Sequence, residues 1–157
     1  MIDRMKKPFV SITSLFLLGS LFGQPEQPEI RTLDSKFAKE TQCLNPEYLL
    51  FSASKTGKDK PALLIYLHGG GGVGNDVRRL QGQAKALLEG IDRFEKGPCH
   101  VVVPQCSRIR KDGGRGTWEP EDLNLLLEGL ESSLGFDSKR IYLTGNSMGG
   151  YGSWTWV

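Results

Sequence analysis

The sequence predicts an α/β fold: a doubly wound, mostly parallel sheet with helices on both faces. Three observations carry this. Apolar runs at residues 62–67, 100–103 and 141–144 have the continuous hydrophobic character of strands buried on both faces of a sheet. Between them, Val77, Leu80, Ala84, Leu87, Leu88 and Ile91, and then Leu123, Leu126, Leu127, Leu130 and Leu134, recur at helical spacing. The third run breaks into the tight turn Gly145-Asn146-Ser147-Met148-Gly149, and no further turn signal follows. Strand, helix, strand, helix, strand and helix start imply right-handed crossovers and parallel pairing.

A chain of 157 residues is enough for one ordinary domain. Its 38% hydrophobic and 24% charged residues describe a soluble globular protein. Arg4, Lys6 and Lys7 against Asp3 account for the whole formal charge of +2, leaving 24–157 neutral. No basic surface argues for nucleic acid or for anionic lipid. Residues 1–23 read as a cleaved secretory signal. They have a positive start, an apolar run over 9–22 and the small Gly23. That run is shorter than the roughly 20 residues a membrane span needs, so no membrane contact beyond export is expected; an uncleaved anchor is the alternative. The protein is then secreted or periplasmic. Residues 24–45, with Pro, Gln and Glu and little periodicity, read as a linker or extended arm, and 46–157 as the globular part.

Taken in order, Tyr48-Leu49-Leu50-Phe51 suits a short strand and the polar, lysine-rich 52–61 a surface turn. After the strand over 62–67 comes the glycine run Gly69 to Gly72, with Gly74. Backbone without side chains can approach a ligand closely and aim N–H groups at it. The spacing Gly69, Gly71, Gly74 also matches a dinucleotide fingerprint. Its acidic partner should end a second strand, whereas Asp92 follows a helical pattern. Asp76 can cap the first helix, and Gly90 weakens or ends it. The strand over 100–103 closes at Pro104, with His100 a surface residue at its edge. Cys99 and Cys106 flank that strand, too far apart to bridge; with Cys43 they read as free or buried thiols. The basic, glycine-rich 107–116 is a mobile loop. Trp118 either lines a pocket or packs. Pro120 suits a first helical position, Glu121 and Asp122 favour the helix dipole there, and Gly135 ends the helix.

Leu67-His68-Gly69-Gly70-Gly71-Gly72, then Val102-Val103-Pro104-Gln105, then the stretch from Arg140 through Gly145-Asn146-Ser147-Met148-Gly149 to Trp154 resemble the α/β-hydrolases. The similarity is to the secreted esterase and prolyl-oligopeptidase-like "predicted peptidase" branch, over about residues 48–157. The resemblance implies a nucleophile elbow, in which a sharp strand-to-helix turn lifts Ser147 above the sheet edge. It implies an oxyanion hole formed by the N–H of Met148 and that of Gly70 or Gly71. His68 would then be a structural histidine behind the loop rather than the base. The substrate would be a small-molecule ester or a peptide, with no metal and no organic cofactor.

In that family an acid and then a histidine follow the serine in chain order, but only ten residues follow Ser147. The expectation is therefore the N-terminal part of a hydrolase, truncated after the elbow. It would turn over little or nothing and fold poorly alone, and an open sheet edge would invite self-association. The alternative is a non-catalytic binding module or pseudoenzyme that holds an acyl or carboxylate group in the same pocket.

Overall fold

The computed structural model describes residues 27–53, 59–94 and 97–157, so the expected export signal lies outside it. Along the chain run strand β1 (Glu29–Thr32), helix α1 (Ser35–Ala38), strands β2 (Leu44–Phe51) and β3 (Ala62–Leu67), helix α2 (Gln81–Phe94), strand β4 (Cys99–Cys106), helix α3 (Pro120–Ser133), strand β5 (Ile141–Gly145) and helix α4 (Met148–Trp156). The strands form one sheet in the order β1-β2-β4-β3-β5. The pairs β4–β3 and β3–β5 are parallel, whereas β1 and β2 extend the sheet antiparallel beyond β4. The parallel core thus carries an antiparallel flank that the alternation of elements did not predict.

Side chains alternate across the pleat, and each strand of the core serves two clusters. Leu63, Ile65 and Leu67 of β3, Val102 of β4 and Leu50 of β2 meet Leu123, Leu126 and Leu130 of α3 on one face. Tyr66, Val101, Val103, Leu49 and Phe51 meet Val77, Leu80 and Ala84 on the other. Helices therefore cover both faces, as expected. The two predicted stripes are the buried sides of their helices, and each fully covered leucine contributes about 1.5–3 kcal/mol. Asp76 caps the first of them, accepting from Arg78 N–H at 3.1 Å. The first turn there is a 3-10 helix over Val77–Leu80 before α2 proper.

Several expectations need correction. The stretch 24–45, read as linker or arm, carries β1 and α1 and contributes the buried Leu33, Cys43 and Leu44. The carboxylate of Asp122, at the start of α3, ties it down by accepting from Gln42 N–H at 2.7 Å and Cys43 N–H at 2.6 Å. Pro104 does not close β4; the strand continues to Cys106. Pro104 faces Tyr48 where the β2 register shifts, and a bulged partner tolerates a residue with no N–H to offer. Gly90 does not end α2, which runs on to Phe94. His100 is not a surface residue. It is 8% exposed, and its Nδ1 accepts from Ala53 N–H at 3.0 Å. The three cysteines are buried, with Cys99 and Cys106 at opposite ends of β4. β3 lies between β4 and β5 and is buried except at the part-exposed Leu64, while the partly exposed β5 forms one edge of the sheet and β1 the other.

Candidate active site

The C-terminal ends of β3 and β5 lie side by side, with Leu67 the register partner of Gly145. That pairing places the two motifs in contact. Asn146 N–H donates to the Leu67 carbonyl at 3.3 Å, and α4 starts directly over the end of β3. The closeness explains the flanking glycines. A Cβ on Gly145 would sit 2.5 Å from the Gly149 carbonyl carbon and oxygen, and one on Gly149 would overlap the Leu67 carbonyl oxygen.

Between those glycines Ser147 adopts φ 50° and ψ −116°, and it is the one non-glycine residue with positive φ among the described residues. Such a conformation costs about 1–3 kcal/mol and persists only where the surroundings impose it. Here they do, because Gly149 N–H donates to Asn146 O at 2.9 Å and Tyr151 N–H to Ser147 O at 3.1 Å. The strained turn leaves the Ser147 side chain exposed at the start of α4. Among the described residues, no acceptor takes the Met148 N–H.

The glycine loop is oriented from behind. His68 is fully buried. Its Nε2 accepts from Cys106 N–H at 3.0 Å. The neutral ring therefore carries its proton on Nδ1, which donates to Gly69 O at 2.7 Å. Gly72 N–H donates to the same oxygen at 2.9 Å, closing the 3-10 turn Gly70–Gly72. In a trans peptide the N–H lies opposite the carbonyl, so the Gly70 N–H is turned away from His68. Among the described residues no acceptor takes the N–H of Gly70 or Gly71, and both residues are exposed with open space around them. Burial lowers the His68 pKa, with the Gly69 carbonyl opposing. The imidazole thus stays neutral and has both nitrogens engaged, which is a structural role rather than that of a base.

Trp118 is buried, 5% exposed. Its indole N–H donates to His68 O at 3.0 Å, and its ring lies tilted against the imidazole with centroids 4.8 Å apart. A Cβ on Gly152 of α4 would come within 2.6 Å of the Trp118 Cβ. Trp118 therefore wedges β3, the glycine loop and α4 together from beneath.

The structure thus brings Ser147, Met148, Gly70 and Gly71 to one end of the sheet, with Trp118 below them. His100 lies at the N-terminal end of β4, the opposite end of the parallel core, so neither histidine serves the serine. The Asp92 of the dinucleotide reading lies in α2, not at a strand end. Among the described residues there is no cluster of His, Cys, Asp and Glu that could hold a metal, and no helix long and apolar enough to cross a membrane.

Sequence reasoning missed the polar groups that brace the site: Tyr66, whose hydroxyl donates to Asn146 Oδ1 at 3.1 Å, and the buried amides of Gln105 and Asn45. The one available signal was a glutamine near the end of an otherwise largely apolar strand, since a buried amide requires partners.

No protein-family model matches the sequence, and no curated protein matches it. Solved structures do. The chain is similar to a thermostable esterase known from its crystal structure, with a TM-score of 0.59 and 26% identity over 82% of this chain and 36% of that one. It is also similar to Thermogutta terrifontis esterase 2 phosphorylated by paraoxon, with a TM-score of 0.49 and 12% identity over 80% of this chain and 45% of that one. The chain therefore spans little more than a third of the length of the thermostable esterase, and it has an α/β-hydrolase-type fold.

Proposed function

We propose that this chain carries the nucleophile and oxyanion-binding part of a serine hydrolase that cleaves a carboxylic ester or a peptide bond. The observation that carries the reading is the Ser147 backbone. A serine is held at positive φ on a strand-to-helix turn, beside two sets of N–H groups that have no acceptor among the described residues. In the reaction Ser147 Oγ attacks the carbonyl carbon, and the negative charge moves to the carbonyl oxygen. The N–H of Met148 and that of Gly70 hold that charge, with Gly71 beside them. Each such donor contributes roughly 3–4 kcal/mol to the transition state in comparable sites. His68, held neutral, keeps the Gly70 N–H pointed outward. The serine proton passes to a base that the described residues do not supply at the elbow. No metal or organic cofactor takes part in this scheme.

The similarity to an esterase supports an ester as substrate. A peptide, as in the prolyl-oligopeptidase-like branch, is the finer alternative. Export through residues 1–23, and self-association through the free edge of β5, belong to the same proposal. The alternative reading is a pseudoenzyme that binds an acyl or carboxylate group in the same pocket without cleaving it; turnover of a p-nitrophenyl ester separates the two.

The test is labelling of the protein as isolated from its source with a fluorophosphonate probe. Ser147 is expected to be the modified residue and Ser147→Ala to stay unlabelled. Equal labelling of both proteins would remove the elbow assignment.

A further inference from the structure

Gln105, the penultimate residue of β4, has a fully buried side chain. Its Nε2 donates to the Gly72 carbonyl at 3.0 Å and to the Asp76 carbonyl at 3.1 Å. Its Oε1 accepts from Asn45 Nδ2 at 2.9 Å, and Asn45 Oδ1 in turn accepts from Glu47 N–H at 3.1 Å. Every partner dictates the orientation of its amide. Turning either one over would set oxygen against oxygen inside the protein, where an unmet polar group is costly. The two carbonyls that Gln105 holds bracket the segment that leaves the glycine turn. Gly74, within it, donates its N–H to Cys106 O at 3.0 Å, and a Cβ on Gly74 would lie 3.3 Å from Gln105 Nε2. His68 anchors the Gly69 carbonyl, and Gln105 anchors the Gly72 carbonyl one turn later. Both draw carbonyls into the fold, and the Gly70 and Gly71 N–H groups between them have no acceptor among the described residues.

We propose that Gln105, oriented by Asn45, is a positioning residue for the glycine loop: its amide pins the loop's carbonyls to the sheet and so fixes where the Gly70 and Gly71 N–H groups stand relative to Ser147. The role in turnover rests on the oxyanion function proposed above for those groups. The role in fixing the loop does not.

Asn45→Asp tests this without touching the loop. A carboxylate at position 45 cannot donate to Gln105 Oε1. The Gln105 amide then turns its Nε2 toward the new charge and presents oxygen to the Gly72 and Asp76 carbonyls. Hydrogen exchange is measured over residues 68–76, with α3 as the internal reference. The paired N–H groups of Gly72, Val73 and Gly74 are expected to lose about tenfold in protection, the loss of one net hydrogen bond, while α3 keeps its own. Relative to the parent at the same pH, protection should return in acid, where the introduced carboxyl group is protonated and can again donate; general loosening of the fold would instead widen the gap to the parent. In a Gln105→Leu background the same substitution should add nothing.

Turnover of p-nitrophenyl acetate per fluorophosphonate-titrated site should fall about tenfold in kcat with little change in KM, because the N–H groups act chiefly on the transition state. If Asn45→Asp does not fold, Asn45→Ala removes the donor without adding charge, and its exchange is read in the same way. Unchanged protection over 68–76, equal loss in α3, or a full effect of Asn45→Asp in the Gln105→Leu protein overturns the proposal. A loosened loop with normal turnover overturns its catalytic part. If the unmodified protein neither labels nor turns over, the hydrolase reading fails, and exchange still decides whether Gln105 fixes the loop.

Discussion

Two neighbouring glycines of α4 should respond to the same substitution with opposite sign. Replacing a helical glycine by alanine gains up to about 1 kcal/mol, because alanine loses less backbone entropy on folding. At Gly150 the added Cβ would have the Gly145 carbonyl oxygen as its nearest neighbour, at 3.6 Å. That is an ordinary contact, so Gly150→Ala should keep most of the gain. At Gly149 the Cβ would overlap the Leu67 carbonyl oxygen and lie 2.5 Å from the Leu67 carbonyl carbon and 2.8 Å from the His68 oxygen. All three are backbone atoms of a strand end held between two neighbours, and none is the far end of a flexible side chain. Overpacking costs about 1–3 kcal/mol, and against rigid backbone the upper end applies. Less the helical gain, Gly149→Ala should destabilise by about 2 kcal/mol. The two variants then differ by about 3 kcal/mol, a gap on the order of 10 °C in Tm for a chain of this size. Thermal and urea melts of both variants, read by far-UV circular dichroism beside the parent, check this. Equal midpoints, or Gly150→Ala the worse of the two, would refute the argument that contact with β3 dictates a glycine at 149.

Other outcomes follow from the same contacts. Burial lowers the pKa of both His68 and His100 below 6.5. The unfolded chain therefore takes up protons first as pH falls. Stability should be full above about pH 6.5 and decline below it, by up to about 1.4 kcal/mol per pH unit for each histidine; a urea midpoint that stays flat from pH 7 to 5 would contradict this. Asp122→Ala strips the acceptor from the Gln42 and Cys43 N–H groups and should cost about 2–4 kcal/mol in denaturant unfolding, in line with uncompensated buried donors; a loss below about 0.5 kcal/mol would mean that α3 does not hold the N-terminal segment. Burial pushes the Cys106 thiol up to about 12, so iodoacetamide at pH 8 should modify it only in denaturant. Rapid alkylation of the native protein at Cys106 would show that this strand end opens.

The elbow and the glycine loop were legible because both are local. Gly145, Ser147 and Gly149 lie within five residues, and the clash that dictates those glycines repeats wherever a strand turns sharply into a helix. The two helices were legible because an apolar stripe at helical spacing buries one side, and the structure buries those sides against the sheet. Pro104 was misread because its effect depends on the partner strand, whose register shift relieves the missing N–H.

The sequence by itself determined the three strands of the parallel core, the two long helices between them, and which residues sit on the turn between β5 and α4. Periodicity and steric demand act over a few residues and need no knowledge of the rest of the chain. Tertiary structure alone decided that β1 and β2 join the sheet antiparallel, that His100 is buried far from the serine, and that Trp118 lies beneath the site. It also decided that Asp122 reaches Cys43 across 79 residues and that Gln105 reaches Asn45 across 60. These are pairings of buried polar groups between distant segments. Such a group takes whatever partner folding places beside it, so its role is set by the neighbour and not by the residues on either side of it.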